Sequence, residues 1–251
     1  MSRRFLFCAV WVAVSSMPSV LYAEQQACER LIAVSYLDAS FDAASTLDKD
    51  RQHRLNADFL KAVAQKTKLN ITLDSAQGAK ALAEVRSGRV DLIIGVSQQP
   101  ENDTRLDYLK PAYMHKTYRL WRRAGEQLSL QQWPVLTGLR GVRVVDSKQF
   151  AEFDVQADLR NWPVRSVDTL DIAIERILQG RADYVLAEQE GFQQLLVEKE
   201  LGQRFEFTEP PVKTQGLFVA LSKDSACNTD QLRLTLNKAL LKLSEQQSTA
   251  P

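Results

Sequence analysis

Residues 81–95 read ALAEVRSGRVDLIIG, and residues 173–187 read AIERILQGRADYVLA. Aligned without gaps, Ala, Gly, Arg and Asp coincide at 81/173, 88/180, 89/181 and 91/183. Each segment has apolar residues at helical spacing, then a Gly, an Arg-x-Asp turn and an unbroken apolar run. Gly lacks a Cβ and takes the left-handed conformation that ends a helix without steric cost. A short run that is hydrophobic on both faces reads as a strand buried in a parallel sheet. The same helix–turn–strand unit therefore occurs twice, and the expected architecture is α/β with two similarly built lobes.

Working outward, the rest of the chain alternates in the same way. Strands are expected at 30–36, 70–73, 90–95, 118–121 and 141–145. Helices are expected over 79–87 and 150–161, and around Leu55, Phe59, Leu60 and Val63, which share one helical face. In open α/β sheets ligands bind beyond the carboxyl ends of the strands, and clefts between domains are favoured sites. The residues just after the two echoed strands are thus the first candidates: Val96, Ser97, Gln98 and Gln99 in one unit, Glu188 and Gln189 in the other. Ser97 and Glu188 are expected to line one crevice.

Composition excludes several classes of function. The 251 residues carry 32 Lys+Arg and 31 Asp+Glu, a formal net charge of +1. Near-neutrality offers no electrostatic case for nucleic acid, and none is expected as a partner. The only histidines, His53 and His115, form no zinc spacing with Cys or acids. Gly-rich phosphate loops and a nucleophile elbow are absent. No cofactor and no metal are expected.

The N-terminus reads as a secretory signal. Arg3 and Arg4 precede the apolar run FLFCAVWVAV at 5–14, Ser15, Ser16 and Pro18 break it, and Ala23 offers a small residue for cleavage before Glu24. The run is short of the roughly 20 apolar residues that span a bilayer. An uncleaved anchor is the other reading. Loss of residues 1–23 leaves two cysteines, Cys28 and Cys227. An even pair in an exported protein suggests one disulfide, which in the simplest chain model removes about 5 kcal/mol of denatured-state entropy for so long a loop. Two free buried thiols are the alternative.

Taken in order, the motifs resemble those of the bacterial extracellular solute-binding proteins of family 3, the periplasmic amino-acid receptors of ABC importers. RLNADFLKAVA at 54–64 is similar to the family's G-F-D-x-D-L-A-x-A-I-A helix start. Residues 82–95 resemble its L-x-S-G-x-V-D-x-I-I-A-G segment. GVSQQPENDTRLDYLKPAY at 95–113 resembles G-M-T-I-T-P-E-R followed by D-F-S-x-P-Y. LRGVRVV at 139–145, DYVLAE at 183–188 and GLFVALSK at 216–223 resemble the later strands. The resemblance implies a two-lobe periplasmic-binding-protein fold of type II, with two α/β lobes joined by two crossover segments. Residues 1–23 would be the signal peptide, 24–123 the N-terminal part of lobe 1, 124–213 lobe 2, and 214–251 the C-terminal part of lobe 1. Cys28 and Cys227 would then share a lobe.

The resemblance also implies a pocket. A zwitterionic amino acid needs an anion near its ammonium and a cation or N–H donors near its carboxylate. Glu188 stands at the family's ammonium-binding acid; it is equally a favourable residue at the start of the following helix. Ser97 matches the strand-end Ser/Thr, or is an ordinary strand cap. The family's carboxylate-clamping Arg falls on Asn102, which carries no charge; Arg105 and Lys148 are the substitutes, although an Arg at 105 also reads as a surface group paired with Asp103 or Asp107. Phe41 falls on the aromatic that covers a ligand side chain, or is core, and Asp38 stands at another frequent aromatic. An acid kept and a cation lost point to a ligand with an amine and no simple α-carboxylate, or to a pocket no longer used for amino acids.

The expected function is capture of a small polar solute, amino acid or amine-like, between two lobes of a monomeric periplasmic protein that serves an ABC permease. A sensory protein reporting to a membrane partner and a cyclohexadienyl-dehydratase-like enzyme with Glu188 as acid are the competing readings.

Overall fold

In the computed structural model, the residues described are 28, 30–37, 46–74, 78–98, 104–126, 136–144 and 150–248. The strands are β1 (Arg30–Ser35), β2 (Asn70–Asp74), β3 (Leu92–Ser97), β4 (Leu106–Tyr108), β5 (Met114–Arg123), β6 (Gly141–Val144), β7 (Val164–Val167), β8 (Tyr184–Glu188), β9 (Phe205–Phe207) and β10 (Lys213–Ser222). The helices are α1 (Thr46–Thr67), α2 (Gly78–Arg86), α3 (Ala151–Leu159), α4 (Leu170–Leu178), α5 (Gln189–Glu198) and α6 (Asp230–Ser248).

The echo has a structural counterpart. Gly88 and Gly180 follow α2 and α4 with φ of +72° and +68°, the left-handed conformation expected of both. Each turn then feeds a strand whose apolar side chains are buried: Leu92, Ile93 and Ile94 in β3, Tyr184, Val185 and Leu186 in β8. The expected strand at 90–95 is displaced toward the C-terminus, because the Asp91 N–H donates to Ile32 O at 2.9 Å and Val90 and Asp91 serve the turn.

All ten strands join one sheet in the order β2-β1-β3-β10-β5-β8-β6-β7, with β4 on β10 and β9 on β5. The two halves share one plan. In each, a central strand (β1 or β6) pairs in parallel with two others, and a long antiparallel strand with its own short partner closes the edge. These are the two lobes, and the long strands β5 and β10 are the crossovers.

Each half is covered on both faces. In lobe 1, Leu60 and Val63 of α1 and Leu232, Leu236 and Leu240 of α6 pack on Leu31, Leu92, Ile94 and Val219. On the other face, Ala81 and Val85 of α2 pack on Val34, Ile93 and Ala220. Leu55, expected on the core face of α1, is 40% exposed; Leu60 and Val63 face the core instead. In lobe 2, Phe192 and Leu196 of α5 join Trp121, Ile174, Ile177 and Val185, while Phe150 and Phe153 pack on Tyr118, Leu120 and Leu186. Among the described residues no helix is long and apolar enough to cross a membrane.

Candidate functional site

The two crossovers define the geometry between the lobes. Leu217 of β10 faces Ser97 of β3 on one side and Met114 of β5 on the other. Tyr118 of β5 faces Glu188 of β8 on one side and Lys213 of β10 on the other. Between these two rungs, among the described residues, the sheet is only two strands wide, His115, Lys116 and Thr117 against Gly216, Gln215 and Thr214. Ser97 and Glu188 thus stand at opposite ends of a two-stranded waist, each at the carboxyl end of a parallel strand.

Ser97 is buried, and its carbonyl accepts a bond from the Tyr108 hydroxyl at 3.2 Å. Next to it, Gln98 Oε1 accepts from Lys110 Nζ at 3.3 Å. Glu188 ends β8 in an extended conformation (φ −68°, ψ 138°) and is the N-cap of α5. Its Oε1 accepts the Glu190 N–H at 3.0 Å and its Oε2 accepts the Gly191 N–H at 2.8 Å. These bonds satisfy two of the donors that a helix start leaves open. An ionised carboxylate has about four acceptor positions. The caps therefore leave roughly half of its acceptor capacity.

Two clusters brace the elements around the waist. At the end of β1, Asn56 Nδ2 donates to Ser35 Oγ at 2.8 Å, while Asn56 Oδ1 accepts from Gln52 Nε2 at 2.9 Å and from Tyr113 Oη at 2.6 Å. All four side chains are buried. Burial pushes the Tyr113 phenol far up, with the Gln52 side chain opposing in part, so it stays neutral as a donor. The cluster ties α1 to β1 and to the start of β5. On the other side, Arg119 donates to Gln189 Oε1 at 2.5 Å and to the Thr208 carbonyl at 3.3 Å, pairs with Glu209 at 2.7 Å, and lies over the Phe207 ring. It fixes the first residue of α5 to β5, and with it the orientation of Glu188.

The other expected site residues fall elsewhere. Arg105 precedes β4, whose Leu106 faces Ser222 at the end of β10 remote from the waist. Its guanidinium pairs with Asp224 at 3.0 Å and lines a surface groove of about 460 Å³ with Arg86, Ser87 and Thr104. The partner is Asp224, not Asp107. The latter is taken by Asn228, Arg233 and Lys223, because the turn after β10 folds back over β4. Asp38, Phe41, Asn102, Asp103 and Lys148 lie outside the described residues. Cys28 packs against the lobe 1 core beside buried Cys227. No disulfide joins the two here, and burial, with the hydrogen bond to Cys28, holds the Cys227 thiol well above its usual range. Among the described residues no group of three or more His, Cys, Asp or Glu is arranged to hold a metal ion.

One residue between the lobes is missed by sequence reasoning. Arg51 of α1 donates to Gln194 Oε1 on α5 and lies 3.5 Å from Glu190 Oε2. Nothing local distinguishes this Arg from other helical ones; its partners are 143 and 139 residues away.

Comparison with known proteins agrees with this architecture. The L-cystine solute receptor of Neisseria gonorrhoeae, in an unliganded open conformation, is 16% identical with a TM-score of 0.66, over 89% of this chain and 92% of that one. A histidine kinase sensor domain similar to periplasmic binding proteins is 16% identical with a TM-score of 0.59, over 87% and 92%. The Bordetella pertussis BvgS VFT2 domain is 18% identical with a TM-score of 0.57, over 90% and 94%. A search of curated proteins finds no match. At these identities the structures speak for the fold alone. The model of bacterial extracellular solute-binding proteins, family 3, matches residues 38–250. With nearly the whole two-lobe frame inside that match, the chain belongs to the bacterial extracellular solute-binding proteins of family 3.

Proposed function

We propose that this protein captures a small polar solute bearing an amine, an amino acid or a relative of one, between its lobes and delivers it to the permease of an ABC importer, without chemical turnover. The observation that carries this reading is Glu188. Its carboxylate ends β8 beside the waist, is fixed by two helix N–H groups, and retains acceptor capacity for an ammonium. Ser97, at the matching end of β3, supplies polar groups from the other lobe. The two-stranded waist of β5 and β10 is the hinge, and closure about it excludes water and strengthens the ammonium–carboxylate contact. The lobes are drawn as residues 24–123 with 214–251, and 124–213. Asn102 at the position of the family's carboxylate-clamping Arg supports a ligand with an amine and no simple α-carboxylate within this class.

The reading includes export as a monomer to the periplasm, with cleavage near Ala23. In that oxidising compartment Cys28 and Cys227 form one disulfide. The two thiols give up two protons, and their two electrons reduce the disulfide of a thiol–disulfide oxidoreductase. The proximity of the two side chains supports this.

Thermal-shift screening of the mature chain against amino acids, amines, amides and small carboxylic acids tests the function. A receptor shows a Tm that rises with ligand concentration. The response should be confined to amine-bearing compounds and lost in Glu188→Gln. A response to carboxylic acids alone, or one unaffected by Glu188→Gln, would sink the assignment of the ammonium site.

A further inference from the structure

We infer that Arg51 is an interlobe latch that favours the closed arrangement before ligand arrives; the inference rests on the reading above, in which the lobes close about β5 and β10. The guanidinium is shared between two acceptors of α5: Nη1 donates to Gln194 Oε1, and Nη2 faces Glu190 Oε2 at 3.5 Å. Neither acceptor belongs to the crossovers, so a swing of one lobe away from the other separates the partners while the waist stays intact.

Both ends of the bridge are prepared. On lobe 1, the residue after Arg51 is Gln52, buried and bonded to Asn56, which is in turn bonded to Ser35 and Tyr113. The stretch of α1 that carries the guanidinium is therefore held to β1. On lobe 2, the Gln194 amide donates to Glu198 Oε1 at 3.0 Å, which orients its oxygen toward the cation. The start of α5 is fixed by the Glu188 cap and by Arg119. A planar fork of five donors suits this division between an amide oxygen and a carboxylate; a Lys point charge does not replace it.

The pair with Glu190 is solvent-exposed on the acid side, 71% against 37% for Arg51. Exposed pairs are weak, so the latch tilts the open–closed balance by about two- to tenfold and does not lock it. That is enough to matter. A ligand that binds the closed form gains apparent affinity in proportion to the fraction already closed. The latch therefore sets the affinity of the pocket from outside it.

Pulsed electron-spin measurement of the interlobe distance tests this on the full mature chain without any ligand. Spin labels on unnatural residues replace Leu159 of lobe 2 and Lys242 of lobe 1, both exposed. Wild type is expected to show a short-distance population. Arg51→Ala should lower the ratio of short- to long-distance populations by about two- to tenfold, Arg51→Glu by more, and the Arg51→Glu/Glu190→Arg pair should restore much of it. Two populations in an unchanged ratio across the variants would overturn the latch and leave the hinge standing. A single distance unchanged in every variant, and unchanged again when His115 and Gly216 are both replaced by Pro, would overturn latch and hinge together. Melting temperatures of the variants within a few degrees of wild type separate these outcomes from misfolding.

Discussion

Asp91 and Asp183 make the same two-way bond in the two lobes. The Asp91 N–H donates to Ile32 O at 2.9 Å, and its Oδ2 accepts the Ile32 N–H at 2.8 Å. The Asp183 N–H donates to Arg140 O at 2.8 Å, and its Oδ2 accepts the Arg140 N–H at 2.7 Å. Each acid stitches the turn after a helix-ending Gly to the neighbouring parallel strand. The second oxygens differ: Asp91 Oδ1 takes the Ser225 hydroxyl at 2.6 Å, and Asp183 Oδ1 takes the Arg140 guanidinium at 2.7 Å.

That difference gives Asp183 a pH signature. The Arg140 guanidinium, through its hydrogen bond, holds the Asp183 carboxyl below the usual carboxylate range, with partial burial opposing. A carboxyl lowered on folding contributes stability that is full above its unfolded value, near ~3.9, and is lost as pH falls through the folded value. Asp183→Asn should therefore melt below wild type at pH 7, and the gap should shrink as the pH drops below about 4. Melting curves across pH check it; a gap constant down to pH 2 would contradict the assignment.

The buried Asn56 cluster should be stability-critical. Asn56→Ala deprives Ser35, Gln52 and Tyr113 of a partner in a dry site. With unsatisfied buried groups costing about 1–3 kcal/mol each, a loss of roughly 2–4 kcal/mol is expected. Tyr113→Phe removes one hydroxyl and should cost less, about 1 kcal/mol. Urea titrations with unchanged slope would report both.

Glu188 has two separable duties. Glu188→Ala removes the N-cap of α5 and should cost about 1 kcal/mol, or roughly 2–4 °C in Tm for a chain of this size. Glu188→Asp, a good N-cap residue, should keep that stability. Differential scanning calorimetry of the two variants, without ligand, measures the cap alone.

The cysteine pair should report its compartment. Non-reducing peptide mapping of exported protein should recover Cys28 and Cys227 in one linked peptide, and reduction should lower stability by about 2–4 kcal/mol. Two freely alkylated cysteines in folded, exported protein would refute the disulfide.

Much of this frame is legible in the linear order of residues because it is built by local rules. The Gly stops, the apolar runs of β3 and β8, and the acid at the start of α5 depend on neighbours within a few positions. The short strands β4 and β9 escape such a reading. Three residues carry no period, and these segments are strands only because the far halves of β10 and β5 offer them an edge. The partners of Arg105 and Arg51 escape for the same reason.

What the sequence by itself determined is the repeated helix–turn–strand unit, its caps and its buried faces, since backbone conformation and side-chain period are properties of short stretches. The tertiary structure alone decided that Ser97 and Glu188 flank a two-stranded waist, that Arg105 turns to Asp224, and that Arg51 reaches across to α5. Those outcomes depend on sheet register and on which distant segments share an edge, and a pairing between residues more than a hundred positions apart is set by how whole elements pack.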